Sequence, residues 1–195
     1  MKQPAPLLFT LGLILAAAST ASSESVVTVN YGRLLQEWDG FGINYVETSQ
    51  TKDYDSFAQD YGGFSKLTEE QRREIIDLVF GSDGLRPGII KMFLDPFHET
   101  TASGNHDNED PYLINPEGFD HERTTRWMRY FVENGLLVSR RNGTEIEIIT
   151  TLYGPPASMT RQKTFRGRDL DPAMREELAE YMVAWVKYLK DNAYP

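Results

Sequence analysis

Ile89-Ile90-Lys91-Met92-Phe93-Leu94, running into Asp95-Pro96, is the stretch on which the fold turns. A nearly continuous apolar run of this length reads as a strand buried on both faces, the kind found in parallel sheets. Parallel neighbours need crossover connections, usually helical. The flanking sequence supplies them. Upstream, Thr68-Glu69-Glu70-Gln71 has the form of a capping box. The helix it opens carries Ile75, Leu78 and Val79 on one face, with Gly81 placed to end it. Before that helix, Trp38-Asp39-Gly40-Phe41-Gly42-Ile43-Asn44-Tyr45-Val46 reads as a strand with two glycines. Downstream, Trp127, Met128, Phe131 and Val132 mark a second helix that is expected to close at Asn134-Gly135. Ile146-Glu147-Ile148-Ile149-Thr150-Thr151-Leu152 is a third strand. Asp171-Pro172 then caps a third helix bearing Met174, Leu178, Tyr181, Met182, Trp185 and Leu189.

Strand–helix alternation of this kind predicts an α/β fold built from βαβ units. Each unit takes about 50 residues, so an eight-unit barrel at this pace needs about 400, the upper end for such folds. With 195 residues, the chain is expected to form the first three βα units of a partial (β/α)8 TIM barrel. A small open α/β domain with long loops is the less favoured solution. The short β-branched run Val26-Val27-Thr28-Val29 adds a strand before the first unit.

The N-terminus reads as an address. Met1 and Lys2 precede the apolar run from Leu7 to Ala18, and the small residues Ser19-Thr20-Ala21-Ser22-Ser23 follow. That order is the pattern of a secretory signal peptide, residues 1–21, and the run is too short to span a bilayer. A secreted or periplasmic location follows, with no membrane attachment after cleavage. Twenty Lys and Arg against 29 Asp and Glu leave a net charge of −9, which argues against nucleic-acid binding. There is no cysteine, which excludes disulfides, thiolate nucleophiles and Cys-based zinc sites.

Barrel active sites form at the carboxyl ends of the strands. That rule selects Asn44, Tyr45 and Glu47 after the first strand, Asp95 to Glu99 after the second, and Tyr153 to Ser158 after the third. Hydroxyl-matching polar groups interleaved with aromatic rings suit a sugar. Glu47, Asp95, Glu99 and the cluster His106-Asp107-Asn108-Glu109-Asp110 are the carboxylates and histidine open to acid–base work. Asn105, Asp107 and Glu109 loosely echo a calcium loop, but the glycine and distal Glu are not in place, so a solvated acidic loop is the better reading. His98 and His106 match no metal-ligand spacing. No metal and no cofactor are expected. Asn142-Gly143-Thr144 is a glycosylation sequon and also a good turn before the third strand. The stripe Tyr181, Trp185 and Tyr188 reads as core packing and helix surface, not as a sugar platform, and Trp38 likewise reads as packing.

Several of these segments together resemble glycoside hydrolase family 30. They are Asp39-Gly40-Phe41-Gly42 after a short strand, the strand ending Leu94-Asp95-Pro96, Tyr153-Gly154-Pro155-Pro156-Ala157-Ser158-Met159, and the helix from Glu177 to Leu189. The resemblance runs from about Val26 to the end of the sequence, and it implies a clan-A retaining glycosidase with a small β-domain beside the barrel. Residues 22–36 would then give one strand of that side domain, and residues 37–195 the first three units of the catalytic barrel. It places the acid/base Glu after the fourth strand and the nucleophile Glu at the end of the seventh, so no catalytic residue falls in this chain, which would be inactive alone. By strand-end position and likeness, Asn44, Glu47, Asp95, His98 and Tyr153 are the expected contacts to a carbohydrate substrate, a β-linked polysaccharide or glycoside. Lys91 stands where the family usually has Arg, and Tyr153 and Ser158 where it usually has Trp. A secreted, non-catalytic carbohydrate-binding protein is the competing expectation, and another clan-A hydrolase a third.

Overall fold

The computed structural model describes residues 26–33, 35, 37, 40–45, 63–100, 110, 112–164 and 169–195. The signal segment, Trp38, Glu47, Asn105, His106, Asp107 and Glu109 lie outside the described residues. The chain divides into two compact units, Met1–Glu37 and Trp38–Pro195.

In the first unit, residues 26–30 take no part in a strand, and Val26, Val27 and Val29 are exposed. This corrects the strand predicted at Val26 to Val29. β-Branching favours a pleated surface only where neighbouring strands pack against it, and no described residue pairs with this run. A turn follows it, in which the Gly32 N–H donates to Asn30 Oδ1 at 2.9 Å.

The second unit is mixed α/β, built on a three-stranded parallel sheet in the order β1-β2-β3. The strands are β1 (Gly42–Asn44), β2 (Ile89–Leu94) and β3 (Glu147–Leu152), and the helices are α1 (Glu69–Phe80), α2 (Arg126–Arg141) and α3 (Arg175–Asp191). β1 is much shorter than the predicted strand. Each unit runs strand, then helix, as the alternation requires.

The predicted capping box starts α1. The Gln71 N–H donates to Thr68 Oγ1 at 3.2 Å, and the Thr68 N–H to Gln71 Oε1 at 2.9 Å. Asp171 caps the 3-10 turn Pro172–Met174, which feeds directly into α3. Gly135 departs from expectation. It does not end α2 but sits inside it, where a Cβ would lie 2.5 Å from the Phe80 ring. The glycine lets α1 and α2 approach closely, a packing role that outweighs its poor helix propensity. The helix ends instead at Asn142. Its side-chain amide donates to the Phe80 carbonyl at 3.1 Å, Gly143 takes a left-handed φ of 67°, and Arg86 donates to the Thr144 hydroxyl at 2.9 Å. The sequon residues therefore build the predicted turn.

Register fixes the two faces of the sheet. Ile90 lies opposite Ile43 and Ile148, and Leu94 opposite Leu152. With Met92 they form the face packed against the helices, where Ile90 and Met92 are fully buried. Tyr181 and Trp185 of α3 join this core, as predicted, and the Trp185 indole N–H donates to Thr150 Oγ1 at 2.8 Å. The opposite face carries Asn44, Lys91 and Ile149 side by side, with Phe93 beside Thr151 in the next row. Among the described residues no helix covers it: Ile149 is 45% exposed and Asn44 and Thr151 are exposed. Phe93 alone is buried there, beneath the Lys91 ammonium at 4.9 Å and edge-on to the Tyr153 ring at 5.6 Å.

Candidate functional site at the strand ends

β2 delivers Asp95 one residue past its end. Strand-end position predicts that Asp95 and His98 face a ligand; both are instead sealed inside, at 2% and 0% exposure, which corrects their assignment as direct substrate contacts. Asp95 accepts three interactions. The Phe97 N–H donates to Oδ1 at 2.9 Å, closing a tight turn. The Thr124 hydroxyl, itself buried, donates to Oδ2, and His98 Nε2 lies 3.4 Å from the same oxygen. Burial alone would raise the Asp95 pKa, but the neighbouring His98 and these donors outweigh it and hold the carboxyl below its usual range. Asp95 is therefore a buried carboxylate that pins the loop after β2 to the segment entering α2.

His98 extends the knot. Its Nδ1 lies 3.0 Å from Nδ1 of His121, a hydrogen bond in which one ring donates and the other accepts. His121 is pushed down to about 3, first by burial and then by His98, with Asp95 acting in the opposite direction. It is thus a neutral imidazole at physiological pH. The Tyr181 hydroxyl donates to the Asp95 carbonyl and accepts from the His98 N–H at 3.2 Å. Burial, and then the Asp95 charge, raises its pKa well above the ordinary value. One phenol of α3 thereby satisfies two backbone groups of a buried loop, which would be costly to leave unpaired.

Beyond the knot the loop surfaces at Glu99. It bridges to Phe119 in an antiparallel pair and accepts from the Ser158 hydroxyl at 3.4 Å, so the loops after β2 and β3 meet here. Burial raises the Glu99 pKa to about 7; the Ser158 hydroxyl pulls the other way, and Glu177 and Glu180 add to the rise. Near neutrality this carboxyl is divided between a proton-donating and a proton-accepting form, as a general acid or base requires. Tyr153 follows β3, half-exposed, with its N–H on the Leu94 carbonyl at 2.8 Å. Asn44 ends β1, also exposed. The structure thus gathers Asn44 and Tyr153 on the open face, with Glu99 in the loops at the same strand ends, and places Asp95 and His98 beneath as supports.

Sequence reasoning missed His121 and Thr124 altogether. Neither stands at a strand end, and they meet Asp95 and His98 only through contacts 23 and 29 residues apart in sequence. Among the described residues no group of three His, Asp or Glu side chains is placed to hold a metal ion, and no helix is long and apolar enough to cross a membrane.

Parallel strands with helical crossovers and polar groups gathered at the carboxyl ends define an α/β protein of the type whose ligand sites form at that edge. No protein-family model matches the chain, and no curated protein matches it. In fold it is similar to SrfJ from Salmonella typhimurium, with a TM-score of 0.55 and 15% sequence identity. That likeness covers 81% of this chain and 32% of the SrfJ chain, so the protein spans about a third of the solved structure's length.

Proposed function

We propose that this chain forms the first three βα units of a (β/α)8 barrel in a secreted retaining glycoside hydrolase of the family 30 type, acting on a β-linked polysaccharide or glycoside. The observation that carries this reading is the one-sided sheet. Parallel sheets are stable when both faces are covered. Here the helices cover one face and leave Asn44, Lys91, Ile149 and Tyr153 on the other. A closed barrel resolves that imbalance, because the inner face of each strand packs against the strands opposite. A fold shared with part of a longer solved chain agrees with this reading.

In the whole enzyme Asn44 and Tyr153 contact the sugar, the first through hydrogen bonds and the second through its ring. Asp95, His98 and Thr124 hold the loop that presents Glu99 to the cleft. Retaining hydrolysis needs two carboxyls about 5–5.5 Å apart, one nucleophilic and one shuttling the proton. The family resemblance assigns both to later strands, and Glu99 acts as a hydrogen-bonding partner to substrate at the rim.

The test is to express the gene product with the coding sequence that continues past Pro195 and follow a chromogenic β-glycoside by proton NMR. Hydrolysis with retention of anomeric configuration, weakened by Tyr153→Ala chiefly through KM, is the expected result. Robust turnover by the 195-residue chain alone, or inversion of configuration, contradicts the proposal.

A further inference from the structure

A second cleft, of about 340 Å³, lies between the loop that precedes α2 and the second half of α3. The geometry points to this cleft as a binding site for a single neutral sugar ring, separate from the strand-end site. Its volume falls at the small end of ligand pockets, enough for one ring with its substituents.

The walls match both surfaces of a pyranose. Phe119 and the His121 ring stack at 5.5 Å with only 5° between their planes. Tyr188 is backed by Trp185, stacked at 5.6 Å and 14°, so its ring is held rigidly where it lines the cleft. Rigid aromatic planes suit the C–H face of a sugar. The polar groups are of mixed sense. His121 Nδ1 is taken by His98, so Nε2 is the polar atom that His121 has left for the cleft it lines. Asp120 receives the Glu122 and Arg123 N–H groups on Oδ1, leaving Oδ2 as an acceptor for the cleft. The Asn192 amide nitrogen is held by the Tyr188 carbonyl at 2.9 Å, which turns its oxygen into a further acceptor. Lys187, at 2.8 Å from Asp191, supplies ammonium donors. Sugar hydroxyls donate and accept at once and use such a mixed set. Two of the three carboxylates on the wall are already engaged, Asp191 by the Lys187 ammonium at 2.8 Å and Glu122 by the Tyr188 hydroxyl at 3.1 Å and the Arg129 guanidinium at 3.3 Å. That favours a neutral ligand over a small organic cation, which also suits aromatic walls. Burial keeps His121 neutral, so it brings no charge that a neutral ligand would have to offset.

The experiment uses the full gene product labelled with 15N-tyrosine. Glucose, xylose and tetramethylammonium are titrated separately at pH 7, and the Tyr188 and Tyr153 amide signals are followed. A saturable shift of Tyr188 with a sugar, within about 0.1 M ligand, is expected. Lys187→Met, at an exposed position that leaves the fold intact, raises that sugar Kd at least about threefold while the Tyr153 response stays unchanged. No saturable sugar shift at Tyr188, a response to tetramethylammonium alone, or an unchanged Kd in Lys187→Met overturns the site. A sugar response confined to Tyr153 overturns it while leaving the hydrolase reading standing. Sugar binding at Tyr188 in a protein without hydrolytic activity does the reverse.

Discussion

The two faces of the sheet obey different rules. On the helix side, Ile90, Met92 and Leu94 are buried to 2% exposure or less, and Tyr181 and Trp185 complete a packed apolar layer. On the other side, Asn44, Lys91, Thr151 and Tyr153 alternate with apolar residues, and Ile149 is left 45% exposed. The first face accounts for why this unit folds. The second accounts for what it would do, because side chains not committed to packing are the ones that can meet a ligand or a further strand. Asp95 marks the boundary: it follows β2 at its carboxyl end, yet it serves the packed side.

The largest effect that sharpens this contrast is Asp95→Ala. It strands the buried Thr124 hydroxyl, the Phe97 N–H and His98, and should cost about 3 kcal/mol in chemical denaturation. A loss below about 1 kcal/mol would mean that Asp95 belongs with the open face and not with the core.

The knot and the rim also titrate in opposite senses. His121 falls from 6.5 to about 3 in the folded protein, so the unfolded chain binds more protons between these values and stability rises with pH there. Glu99 rises from 4.5 to about 7, so the folded protein holds the extra proton between these values and stability falls as pH rises. Between pH 4.5 and 6.5 the two slopes oppose each other, and below pH 4.5 only the destabilising effect of His121 remains, joined by Asp95, whose lowered pKa favours the fold only above it. Thermal melts should therefore be nearly flat from pH 4.5 to 6.5 and drop sharply below. Glu99→Gln should remove the plateau, so that the melting temperature climbs through that whole range. An unaltered plateau in the variant would break the assignment.

Gly135→Ala probes the helix layer alone. The added methyl meets the Phe80 ring, and overpacking of this kind costs about 1–2 kcal/mol even after the gain in helix propensity. Phe80→Leu in the same chain should recover part of it. The smallest effect belongs to the open face: Tyr153→Ala should change stability by less than about 0.5 kcal/mol, since the ring is 41% exposed. A large loss there would mean that the face is already closed within this unit.

The sequence-level reading succeeded where the physics is local. The capping box at Thr68, the strand β2 and the Asp171-Pro172 cap each contain their own reason for forming, and each forms. Yet β2 is covered by helices on one face and not on both, and Asp171 caps a 3-10 turn that leads into α3 and not the helix itself. It failed where the reason lies elsewhere in the chain. Gly135 looks like a helix terminator until Phe80 is placed against it. Residues 26–29 have strand propensity but no partner among the described residues. Asp95 and His98 look like ligand contacts until His121 and Thr124, whose contacts to them span 23 and 29 residues of sequence, close over them. Asn44 and Tyr153 remain where strand-end position puts them, and Glu47 lies outside the described residues.

The claim on which the account rests is that the exposed sheet face is an inner wall of a larger barrel. None of these 195 residues is a cysteine, so Ile149→Cys adds one thiol to that face and Leu78→Cys, on the outside of α1, is a matched control, each read above the background of the unsubstituted protein. Thiol labelling is measured in the gene product extended past Pro195. An inner-wall position for Ile149 predicts rapid labelling of the Leu78→Cys variant and protection of the Ile149→Cys variant by about two orders of magnitude or more, as burial in a closed core requires. Equal, rapid labelling of both variants would contradict it.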